Sequence, residues 1–101
     1  MKSNIDILIS KIRDYFVTQP INKAWLFGSY SRGEETENSD IDILVEYSKD
    51  EKVSLYLISK ILVTLSKILN KKVDLVEDGQ LMDFAVNSVN HDKILIYERK
   101  N

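Results

Sequence analysis

The chain has 101 residues, 44% hydrophobic and 30% charged, with 14 Lys plus Arg against 16 Asp plus Glu, one His and no Cys, for a formal net charge of −2. A disordered chain is poorer in Ile, Leu, Val and Phe and more one-sided in charge, so this composition predicts one folded domain over residues 1–101. Without Cys there is no disulfide scaffold, thiolate zinc site or thiol nucleophile, which points to the cytoplasm; no apolar run is long enough for a membrane, and the acidic balance argues against direct nucleic-acid binding.

Ile5, Leu8, Ile9, Ile12, Tyr15 and Phe16 recur at three and four, which predicts a helix with Asn4 as its cap and Pro20 as its stop. Asp6 and Arg13 interrupt its apolar character, so the segment reads as an amphipathic helix rather than a signal peptide. Lys23 to Phe27 is a short apolar strand running into Gly28. Gly28 to Ser39 is a polar loop with a short helix inside it. Asp40 to Tyr47 alternates, with Ile41, Ile43 and Val45 on one face and Asp40, Asp42 and Leu44 on the other. Val53 to Leu69 carries the widest apolar stripe and predicts a long helix. Lys72 to Val76 is a strand followed by an Asp78-Gly79 turn, Leu81 to Val89 a helix, and Lys93 to Glu98 the last strand. The expected fold class is therefore α/β (α+β), a small mixed sheet with helices mainly on one face.

Three features of this pattern carry chemistry. Gly28-Ser29 ends a buried strand, Asp40-x-Asp42 follows after ten intervening residues, and Asp74 sits between Val73 and Leu75 in a strand otherwise made for burial. Side chains two apart on a strand share a face, so Asp40 and Asp42 project together with backbones about 7 Å apart. Like charges that close repel unless a cation joins them, and carboxylate oxygens suit magnesium, which is commonly held by one or two carboxylates plus substrate phosphates. A glycine followed by a hydroxyl residue lets a phosphate reach backbone N–H groups, with Ser29 adding a donor.

The stretch LFGSYSRGEETENSDIDILVEY, residues 26–47, resembles the signature of the DNA polymerase β-type nucleotidyltransferases, and the short chain resembles the minimal nucleotidyltransferase proteins among them. The resemblance implies nucleotidyl transfer from ATP with two Mg2+ ions. Carried onto this chain, Asp40 and Asp42 bind the metals, Asp74 completes the metal site and helps to activate the attacking hydroxyl, and Gly28 and Ser29 hold the triphosphate. Minimal nucleotidyltransferases are commonly paired with HEPN-domain proteins in toxin-antitoxin modules. The resemblance therefore implies an antitoxin that transfers AMP to a tyrosine of a cognate HEPN ribonuclease toxin and forms a hetero-oligomer with it. An antitoxin that only masks its partner would share this surface. A small-molecule nucleotidyltransferase of the antibiotic-modifying kind would keep the same acids but is a longer protein with an additional helical domain.

Other residues carry weaker signals. The fork of donors on Arg32 suits a triphosphate or pyrophosphate, or it is simply solvated in the loop. Glu34, Glu35 and Glu37 read as a solvated charge run, Trp25 as core rather than a base-stacking platform, and His91 as a surface residue at a helix end. HEPN ribonucleases resemble one another in an Arg followed within a few residues by His. No Arg stands so before His91, so this chain is not the ribonuclease.

Overall fold

The structure is a computed structural model that describes residues 3–50, 52–78 and 89–100. Its first helix, α1, spans Asn4–Phe16. The cap is Ser3 rather than Asn4, because Ser3 Oγ accepts from the Asp6 N–H at 3.2 Å while Asp6 Oδ2 accepts from the Ser3 N–H at 3.3 Å. Two otherwise orphaned donors are satisfied reciprocally, which a single capping side chain does not achieve. Pro20 then ends the connection, and its carbonyl accepts from the Ser48 N–H at 2.8 Å.

Strand β1, Ile21–Phe27, starts two residues before the expected Lys23 because Ile21 already pairs with Tyr47. The short helix α2, Ser29–Arg32, lies between Gly28 and Gly33. Strand β2, Ile41–Tyr47, pairs antiparallel with β1. Helix α3, Leu55–Leu69, is capped by Ser54, whose Oγ accepts from the Leu57 N–H at 3.2 Å, and is closed by Asn70 at φ 52°. It crosses over to β3, Val73–Glu77, which lies parallel to β2. Strand β4, Ile94–Glu98, pairs antiparallel with the other side of β1, giving a mixed sheet in the order β3-β2-β1-β4.

One face of this sheet is apolar and covered. Ile12 and Phe16 of α1 and Ile61 and Leu65 of α3 pack on Ala24, Leu26, Ile41, Ile43, Val45, Val73 and Ile96 in a single buried cluster. Both long helices therefore share that face, as the strand alternation requires. The α3 stripe is mostly spent on this core, although Leu55, Tyr56, Val63 and Ile68 remain exposed. The opposite face carries Trp25, Phe27, Asp42 and Leu44. Trp25 is thus not part of the helix-covered core; it is half-buried on the acid-bearing face, with the Lys93 ammonium 4.7 Å from its ring centroid. The helix expected over residues 81–89 lies outside the described residues except for Val89, which is helical, as does Gly79 of the expected turn. Among the described residues no helix is long and apolar enough to cross a membrane.

Candidate active site

Strand register brings the expected site together. Phe27 of β1 stands opposite Asp42 of β2, and Asp42 stands opposite Asp74 of β3. A row running across three neighbouring strands, each about 4.8 Å from the next, therefore places Asp42 and Asp74 side by side on the same face. Asp74, flanked by Val73 and Leu75, matches Asp42, flanked by Ile41 and Ile43. In both strands the flanking residues face the helices and the acid faces away.

Gly28 follows Phe27 directly and closes the other side of Asp42. Its φ of 75° and ψ of −151° lie in a region open essentially to glycine alone. A Cβ added there would collide with Asp42 Oδ2 and come within 3.2 Å of its Cγ. The glycine thus does two things at once: it turns the chain into α2 and leaves room for the carboxyl. Ser29, half-buried, is the first residue of α2, and its carbonyl accepts from the Glu34 N–H at 2.9 Å. Ser31 Oγ donates to the Gly28 carbonyl at 2.8 Å and fixes the turn.

Burial, the facing charge of Asp74 and a hydrogen bond with it push the Asp42 carboxyl up to about 6, with Asp40 adding to the rise and Arg32 opposing it. Two like charges facing each other disfavour the ionised form. The pair is therefore short of positive charge, which is the electrostatic state that a divalent cation relieves. Asp40, just before β2, is drawn toward Lys72, whose Nζ lies 3.6 Å from its Oδ2. Lys72 reaches Asp40, not Asp74. No three acid or imidazole groups among the described residues converge into a closed metal cage. Magnesium does not need one, since it takes one or two carboxylates and completes its shell with phosphate and water. The donor set fits such an ion.

Arg32 is held by two acids, with Nε 2.7 Å from Glu34 Oε1 and Nη1 3.2 Å from Asp92 Oδ2. Both partners raise its pKa further above the ordinary arginine value. Glu34 is therefore an ion-pair partner and not merely part of a solvated run. Sequence reading missed this grip and that of Lys72 on Asp40. The Arg32–Asp92 contact joins residues 60 apart and left no local signal, whereas Lys72 and Asp40 both immediately precede strands that pair in parallel. His91 is exposed, as expected. A separate concavity of about 770 Å³ against Arg13, Val17 and β4 lies at the far edge of the sheet from the acids.

A glycine-hydroxyl turn beside carboxylates on two parallel strands defines a protein of the phosphate-handling kind, built on a mixed sheet backed by two helices. The chain belongs to the polymerase beta nucleotidyltransferase family, which it matches over residues 10–101. Among its relatives is the protein adenylyltransferase MntA of Thermococcus cleftensis, 33% identical over 86 residues that cover 85% of this chain and 82% of that one. A candidate protein adenylyltransferase of Methanocaldococcus jannaschii is 40% identical over 72 residues, 70% of this chain and 72% of the relative. In fold, the chain resembles a solved toxin-antitoxin complex with AMP-PNP, with a TM-score of 0.75 and 24% identity over 91% of this chain and 74% of that one. It also resembles a chain of the tri-AMPylated Shewanella oneidensis HEPN toxin in complex with its MNT antitoxin, with a TM-score of 0.67 and 21% identity over 92% of this chain and 71% of that one. The chain is accordingly a nucleotidyltransferase, and its relatives carry the name of protein adenylyltransferases.

Proposed function

We propose that this protein is an antitoxin that transfers AMP from ATP to a tyrosine hydroxyl of a cognate HEPN ribonuclease toxin. The observation that carries the reading is the Asp42–Asp74 carboxyl pair, two acids pressed together across parallel strands beside Gly28. Asp40 and Asp42, with Asp74, would hold two magnesium ions, which would supply charge neutralisation of the triphosphate and of the departing pyrophosphate. Gly28 and Ser29 receive the phosphates through the turn into α2. Arg32 is a phosphate contact once it exchanges Glu34 or Asp92 for the nucleotide, a swap that its exposed position permits.

Asp74 stands farther from the Gly28 turn than Asp42 does, on the side where an acceptor enters. Its carboxylate takes the proton of the attacking hydroxyl. The hydroxyl oxygen bonds to the α-phosphorus, the bond from that phosphorus to the α–β bridging oxygen breaks, and pyrophosphate leaves with the electron pair. The protein's main contribution is to position these groups and set their charge, as in other phosphoryl transfers.

The reading is tested by incubating the protein with ATP, magnesium and the HEPN protein of a neighbouring reading frame and weighing that protein by mass spectrometry. The partner should gain the mass of one or more adenylyl groups. Asp40→Asn combined with Asp42→Asn should keep the wild-type circular dichroism and lose the transfer. A folded double variant that still labels the partner would refute the assignment, and an unlabelled but tightly bound partner with the wild-type protein would leave an antitoxin that only masks its toxin.

A further inference from the structure

The groups assigned to nucleotide and acids are ordered across the sheet. β1 ends in Gly28 and Ser29, β2 carries Asp42 in the middle, and β3 carries Asp74 on the far side. Among the described residues no strand lies beyond β3, so Asp74 stands on the edge strand of the sheet. A groove of about 690 Å³ wraps round that edge, from the outer side of α3 to Asp74 itself. Leu62 and Val63 form its apolar part, and Lys67, Lys71 and Lys72 line it with positive charge. Val63 is 53% exposed, and Lys67 and Lys72 are exposed. Lys71 Nζ donates to the Glu37 carbonyl at 3.3 Å, and neither Lys67 nor Lys71 takes part in an ion pair among the described residues.

We propose that this groove docks the acceptor, and that its occupant is an acidic segment of the acceptor protein that carries the reactive hydroxyl toward Asp74. The inference rests on the site reading above, which assigns the Gly28 side to the triphosphate and so leaves the β3 edge for the attacking group. Lys67 and Lys71, with Lys72 held 3.6 Å from Asp40, give the groove a positive flank beside Asp74 on a chain with a formal net charge of −2. A negatively charged segment is attracted there, which is how charge complementarity selects a partner and its orientation. The apolar strip of Leu62 and Val63 gives the ring or aliphatic part of such a segment a place beside the charges.

The test uses the full chain with two fluorescent probes, a glutamate–tyrosine copolymer and a lysine–tyrosine copolymer, followed by anisotropy. Net charge alone favours the lysine copolymer; the groove predicts that the glutamate copolymer binds tighter, by about tenfold or more. Lys67→Glu with Lys71→Glu should weaken it by about tenfold. Lys11→Glu with Lys49→Glu, the same charge change on exposed lysines outside the groove, should leave it within about threefold of wild type. Tighter binding of the lysine copolymer, binding of neither, or equal loss in both double variants would overturn the proposal. Titration of magnesium-ATP into the same proteins separates the two readings: a wild type that holds the glutamate copolymer but not magnesium-ATP sinks the nucleotide site and leaves the groove standing.

Discussion

Gly28 and Asp42 depend on each other at atomic range. Gly28→Ala places a methyl group against the Asp42 carboxyl at a φ of 75°, so it should destabilise the protein by about 1–3 kcal/mol and weaken magnesium-ATP binding together. Thermal denaturation and calorimetric titration read the two effects. Asp42 also sets a pH signature. Its folded pKa, about 6, lies above the ordinary aspartate value of about 3.9, so the folded state holds the proton more tightly than the unfolded chain does. The corresponding stabilisation is fully present below about pH 4 and is lost as pH rises through about 6. Melting without divalent cations should therefore show a lower midpoint at pH 7.5 than at pH 5, once other titrations are subtracted with Asp42→Asn, which lacks this step. Cation binding has the opposite sign, because the metal needs the carboxylate: magnesium-ATP affinity should fall as pH drops below about 6.

The elements were legible in the sequence wherever burial decided them. Among the described residues, periodicity located both long helices and the four strands, because Ile12, Phe16, Ile61 and Leu65 recur at helical spacing and the β2 residues alternate. Element ends were less legible. Ser3 replaces Asn4 at the cap because a reciprocal bond with Asp6 wins, and β1 begins at Ile21 because of a partner 26 residues away. Of the site, Gly28, Ser29, Asp40, Asp42 and Asp74 were visible as a pattern. The hold of Lys72 on Asp40 and of Asp92 on Arg32 was not, since each depends on strand register or on a tertiary contact. The same division predicts mutational behaviour on α3. Leu65→Ala, at a fully buried position, should cost about 2–5 kcal/mol in chemical denaturation. Val63→Ser, at a position 53% exposed, should stay within about 0.5 kcal/mol of wild type, the range of ordinary surface changes.

At the scale of the whole molecule, one sheet divides the work between its faces. The face covered by α1 and α3 supplies stability, and the other face lines up Phe27, Asp42 and Asp74 across three strands beside the Gly28 turn. The parallel register of β2 and β3 makes the two acids neighbours, and the α3 crossover that joins those strands also fills the core. Asp74 is the member of the row to which the proposed function gives the most specific role, that of taking the proton of the attacking hydroxyl. The most direct measurement compares Asp74→Asn with wild type for magnesium-ATP affinity and for the single-turnover rate of AMP transfer to the HEPN partner proposed above. Affinity should stay largely in place while transfer slows by about 100-fold or more, as expected for loss of a general base. Transfer at the wild-type rate would make Asp74 a bystander on an edge strand and contradict the three-carboxylate site.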